Sequence, residues 1–124
     1  MTAHNPTLTR FDFHVFKFMH SPDVQTMSRI ERGDYFWLIC QSWAIGNNCL
    51  LPTDEKRLAR LVGVQPGEPD ISPLVLEKFP VENIDGVEYR RNKVLHKEWL
   101  AALKRSNDGR KYGRKRWRKE KEAT

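Results

Sequence analysis

Val81-Glu-Asn-Ile-Asp-Gly-Val-Glu-Tyr-Arg-Arg91 decides how this chain is read. Two short runs with β-branched and aromatic residues flank Asp85-Gly86. Asp-Gly supplies the positive φ angles that a two-residue turn demands, so the spacing predicts a β-hairpin. Upstream, Ser72-Pro73 is an N-cap followed by proline at the first helical position, and it opens a short helix from Leu74 to about Phe79. Before it, Val64 to Ile71 holds Pro66, Gly67 and Pro69 and is expected to be a loop.

Further upstream, Thr53 is expected to cap a helix with Asp54 and Glu55 in its first turn, where the dipole favours anions. Leu58, Leu61 and Val62 form its apolar stripe, and Gly63 ends it. Leu50-Leu51-Pro52 is a short extended link. Ser28-Arg-Ile-Glu31 is a capping-box pattern, and the helix it opens should run to about Ile45 and stop at Gly46-Asn-Asn48. That helix is apolar nearly all round, which predicts a central place in the core, with Trp37, Cys40 and Trp43 buried. Phe11 to Met19 fits either an extended piece or a short helix. Downstream of the hairpin, Asn92 caps a last helix carrying Leu95, Trp99, Ala102 and Leu103 on one face, with Asn107-Asp-Gly109 as its stop.

The chain has 124 residues, enough for one domain with one core. Residues 1–10 are expected to be a flexible N-terminus, residues 11–105 a single domain, and residues 106–124 a basic disordered tail. The expected fold class is mainly α with a small β-hairpin. Two helices followed by a hairpin make it winged helix-turn-helix-like.

Charge is segregated. Residues 1–103 hold 12 Lys and Arg against 13 Asp and Glu, a net of −1. Residues 104–124 hold 10 against 3, a net of +7, so the whole positive excess sits in the last 21 residues. Lys104, Arg105, Arg110, Lys111, Arg114, Lys115, Arg116, Arg118, Lys119 and Lys121 surround Tyr112 and Trp117 there. Cations neutralise phosphates and release counterions without regard to base sequence. Exposed aromatic rings stack on unpaired bases. The plainer alternative is a solubilising tail, or a linker. Elsewhere, Arg90, Arg91 and Lys93 on the hairpin and Lys56, Arg57 and Arg60 on the second helix are candidate phosphate contacts. Strand alternation sends Arg90 and Arg91 to opposite faces. The helix from Ser72 to Phe79 offers little for base readout, so positioning without strong sequence choice is expected.

No phosphate-cradling GxxxxGK, no GxSxG and no HExxH is present. His4, His14, His20 and His96 are scattered, with no ligand spacing. Cys40 and Cys49 form no CxxC pair, and no signal peptide or long apolar run opens the chain. These features point to no enzyme, metal or cofactor, and to a cytoplasmic protein with free thiols and no membrane partner.

Met27-Ser-Arg-Ile-Glu-Arg-Gly-Asp-Tyr-Phe-Trp-Leu-Ile-Cys-Gln-Ser-Trp43 and Leu51-Pro-Thr-Asp-Glu-Lys-Arg-Leu-Ala-Arg-Leu61 resemble the YdaU-type family of phage and prophage proteins. Lys78-Phe79 and Asn92-Lys-Val-Leu95 continue the pattern, so the resemblance spans about residues 11–103. It implies a winged-helix-like fold and a setting among phage replication genes. It carries no catalytic residue. Many members have Asp-Trp near the start, where this chain has the Phe-rich Phe11 to Met19. The function expected is a non-enzymatic nucleic-acid-binding module, DNA before RNA, accessory to phage or prophage DNA replication. The second expectation is a protein-interaction adaptor docking on a replicative helicase or its loader. The sequence sets no oligomeric state and no target sequence.

Overall fold

A computed structural model describes the backbone of Leu8 and of residues 10–122, and the side chains of Leu8 and of residues 10–109. The molecule is mainly helical, with one two-stranded antiparallel hairpin. Among the described residues, six helices and two strands follow in the order α1 (Val15–His20), α2 (Pro22–Thr26), α3 (Arg29–Ile45), α4 (Glu55–Val62), α5 (Pro73–Leu76), β1 (Val81–Ile84), β2 (Val87–Arg90) and α6 (Lys93–Glu122).

α3 is the axis of the body, and α4, α5 and α6 each pack against it. Its start is the expected capping box: Ser28 Oγ accepts the Glu31 N–H, and Glu31 Oε1 accepts the Ser28 N–H at 2.8 Å. Gly46, at φ 69°, ends it in the left-handed conformation that costs a glycine nothing. The core cluster joins Leu38, Ile39 and Trp43 of α3 to Leu58, Val75, Phe79, Leu95 and Trp99, with Cys49 and Leu51 from the link after α3.

α3 is central but not buried all round. One face stays open, with Ile30 67% and Trp37 50% exposed and Ala44 beside them. The burial expected of Trp37 is therefore corrected. With 3.6 residues per turn, Leu38, Ile39, Ser42 and Trp43 share the arc that the other elements bury, and Trp37 falls outside it, about 120° from Trp43. The burial expected of Cys40 is corrected too. Cys40 is half-buried, whereas Cys49 is fully buried, and burial pushes its thiol up to about 12.

The α4 cap is Asp54, whose carboxylate accepts the Lys56 N–H at 3.0 Å, in place of the expected Thr53. Ser72 caps α5 with Pro73 next, as expected, but α5 is only four residues long. In the hairpin, Ile84 pairs with Val87 across Asp85 (φ 52°) and Gly86 (φ 86°). Positive φ at both turn positions is what a two-residue turn with matched twist requires. A further antiparallel bridge joins Leu51 to Arg90, with Leu51 N–H donating at 2.8 Å and Arg90 N–H at 2.9 Å. The link between α3 and α4 thus lies along the hairpin's second strand.

Of the expected N-terminal segment, residues 1–7 and 9 lie outside the described residues. Leu8, placed in the flexible N-terminus, is 4% exposed, and its carbonyl accepts the Trp43 Nε1–H at 2.6 Å. The buried indole N–H needs an acceptor, and this carbonyl supplies it. At the other end, α6 does not stop at Asn107-Asp-Gly109: it runs unbroken to Glu122, so residues 106–122, expected as disordered tail, are helix. Two physical effects favour this. Lys, Arg and Glu are strong helix formers. The docked first half of α6 also supplies a nucleus, so each added residue needs only propagation.

Candidate nucleic-acid interface

Asn92 starts α6 by accepting the Leu95 N–H at 3.0 Å, and its own amide donates to the Lys78 carbonyl. Leu95 and Trp99 then bury in the core, with Ala102 and Leu103 against it. Trp99 meets Trp43 edge-on at 5.0 Å between centroids. That packing fixes the direction in which the rest of α6 leaves the body. At 1.5 Å per residue, the stretch beyond Leu103 reaches roughly 30 Å. Lys104 and Arg105 are exposed at its beginning. The side chains of Arg110, Lys111, Tyr112, Arg114, Lys115, Arg116, Trp117, Arg118 and Lys119 lie outside the described residues. The helix carries their backbone as one continuous segment.

Lys56, Arg57 and Arg60 are exposed on α4. Arg57 and Arg60 share a shallow groove of about 300 Å³ with Ile45, Pro52 and Leu61. The α4 cations therefore form one small patch, separate from α6 in the sequence.

The hairpin arginines are occupied. Arg90 Nη1 donates to the carbonyls of Leu76 at 3.3 Å and Phe79 at 3.1 Å, which end α5 and lead into β1. Arg91 forms an ion pair with Glu82, donates to the Asn48 carbonyl at 3.4 Å and lies 3.3 Å from His96 Nε2. Burial, and then the Arg91 charge, hold the His96 pKa below its ordinary value. Both guanidinium groups thus serve the body's own polar groups, and neither reaches out as a free phosphate ligand. The signal lay in the hairpin register, which sets Val81 across from Arg90 and leaves Glu82 within reach of Arg91. Lys93 is exposed in the first turn of α6.

Sequence reasoning passed over a cleft between the N-terminal segment and α6. Leu8, Arg10, Phe11, Asp12 and His14 line one side of it. Glu98, Ala101, Ala102, Arg105 and Ser106 line the other, with Trp43 between. Its volume is about 540 Å³, within the usual range for small-molecule sites. No local periodicity announces it, because its two walls come from opposite ends of the chain.

Among the described residues, no group of His, Cys, Asp or Glu is placed to hold a metal ion. No helix among them is long and apolar enough to cross a membrane. The chain matches no protein-family model, no curated protein and no solved structure.

Proposed function

We propose that this chain is a non-enzymatic nucleic-acid-binding module that grips phosphates mainly through α6, on DNA before RNA. The observation that carries it is the charge division: a net of +7 over residues 104–124 against −1 over the preceding 103. Such a segment gains from a polyanion both by direct neutralisation and by counterion release. Set on one helix, the cations keep a fixed spacing along the axis, which suits a backbone of evenly spaced phosphates. The α4 patch of Lys56, Arg57 and Arg60 is the secondary contact.

The scaffold we propose is a winged helix-turn-helix, with α3, α4 and α5 as its helices and the hairpin as its wing. The Leu51–Arg90 bridge supports this, because it supplies a short strand between the first and second helices that pairs with the wing. α5 would occupy the recognition position. Its four residues, with Leu74 45% exposed, present no Arg, Asn or Gln to a base edge. Binding without strong sequence choice follows. A setting in phage or prophage DNA replication rests on the family resemblance of Met27–Trp43 and Leu51–Leu61 alone.

A protein-interaction adaptor is the second proposal, favoured by the open apolar face of α3 at Ile30, Trp37 and Ala44. Fluorescence polarisation separates the two. Labelled single-stranded DNA, duplex DNA and RNA are titrated with the full chain. A full-length variant carrying Gln at Arg114, Lys115, Arg116, Arg118 and Lys119 is titrated beside it. Binding at low salt that weakens at least about tenfold in the variant supports the phosphate grip. Binding that the variant leaves unchanged, or no binding to any of the three, overturns it and leaves the adaptor.

A further inference from the structure

We infer that the cleft between the N-terminal segment and α6 takes one unpaired nucleotide of a strand held along α6, an assignment that rests on the nucleic-acid reading above. A nucleotide presents three chemical features: an anionic phosphate, an aromatic plane, and ring or exocyclic N–H donors. The cleft answers each of them.

The cations are Arg10, from the N-terminal segment, and Arg105, from α6. Both are exposed, and neither guanidinium group has a hydrogen-bond or ion-pair partner among the described residues. Arg90 and Arg91 show the contrast, since their guanidinium groups are bound within the body. The aromatic element is Phe11. Its ring stacks on Trp43 at 4.7 Å and 29°, and Trp43 is held edge-on by Trp99 and by its hydrogen bond to the Leu8 carbonyl. An aromatic surface backed in this way is already ordered, so a base that meets it needs little further ordering of the protein. The acceptors are the carboxylates of Asp12 and Glu98, which suit the amino and imino N–H groups of a base and disfavour a bare anion.

Continuity supplies the strand. Arg105 belongs both to this cleft and to the start of the segment with a net charge of +7. A backbone following α6 toward the body arrives at the cleft. A base within a duplex has its Watson–Crick edge paired and both faces covered by stacked neighbours, so the site selects single strands or frayed ends.

Two measurements on the full-length protein test this. In the first, indole N–H resonances are followed while a mononucleotide, dAMP, is added. The Trp43 signal should shift, and that of Trp37, on the outer face of α3, should not. In the second, affinity for a labelled single strand and for its blunt duplex is compared in native protein and in the R10A/R105A variant. Both positions are exposed, so folding is unaffected, and an unchanged thermal midpoint verifies this. The preference for single strand over duplex should fall at least about fivefold, the scale of one lost base stack. An unmoved Trp43 signal together with an unchanged preference overturns the inference. A shift produced equally by inorganic phosphate overturns it too, by making the cleft an anion site. The Gln variant of the α6 cations distinguishes the two proposals. If it keeps strand binding while dAMP still moves Trp43, the cleft stands and the α6 grip fails. If strand binding depends on α6 and dAMP moves nothing, the grip stands and the cleft fails.

Discussion

Glu31 serves two helix starts with one carboxylate. Oε1 accepts the Ser28 N–H that closes the capping box of α3, and Oε2 accepts the hydroxyl of Ser72, the cap of α5, at 2.6 Å. The Ser72 bond, then those from Ser28, hold the Glu31 carboxyl below the ordinary carboxylate range. A carboxylate whose pKa is lowered by folding contributes stability above the ordinary range, and that contribution is lost as pH falls through the folded value. The Glu31→Gln variant should therefore show a shallower loss of thermal midpoint than native protein between about pH 6 and about pH 3. Equal slopes in a pH series of melting curves would refute the double cap. The tryptophans give a second contrast. Trp43 is 3% exposed and Trp37 50%. Trp43→Ala should cost about 3–5 kcal/mol, and Trp37→Ala about 1 kcal/mol or less. Urea unfolding of both variants measures the difference.

Elements defined by local chemistry were legible in advance. A serine and a glutamate three residues apart fix the start of α3, Asp85-Gly86 fixes the hairpin turn, and Asn92 fixes the start of α6. What escaped was non-local. Which face of α3 is covered depends on where α4, α5 and α6 come to rest, so Trp37 and Trp43 could not be told apart by apolarity. Leu8 meets Trp43 across 35 residues, and the cleft it borders draws on both ends of the chain. The run of α6 past Gly109 has a different cause. Gly109 ends a helix only when it turns left-handed, and here it continues the right-handed backbone. This continuity is testable within the element. Gly109→Pro removes a backbone donor and clashes with the preceding turn, at a local cost of about 3 kcal/mol. Far-UV circular dichroism should lose helical signal, while the thermal midpoint of the body stays fixed. The packed residues Leu95, Trp99, Ala102 and Leu103 all precede the substitution.

At the scale of the molecule, a body near neutrality carries a strongly cationic helix. Such a division makes affinity for a polyanion fall steeply with salt, because each neutralised phosphate returns a counterion to solution. If α6 meets about five phosphates, a plot of log affinity against log salt on duplex DNA should slope near −4. A slope near zero would mean that the helix does not touch the backbone. Polarisation titrations at several salt concentrations read it directly. The α4 patch is expected to add a smaller increment, visible as a shallower slope when Lys56, Arg57 and Arg60 are replaced by Gln.

The pairing of Leu51 with Arg90 has a consequence for the chain's covalent continuity. The span it encloses includes residues 65–70, all exposed, with Gly67 in a left-handed turn. Proteolytic nicking there would leave Leu51 and Leu58 on one fragment, and Val75, Phe79, Leu95 and Trp99 on the other, all in a common core. The two pieces should co-elute on size exclusion as a single particle and part only in denaturant. The gene could then be divided at that loop, and co-expressed halves should reassemble into a functional heterodimer.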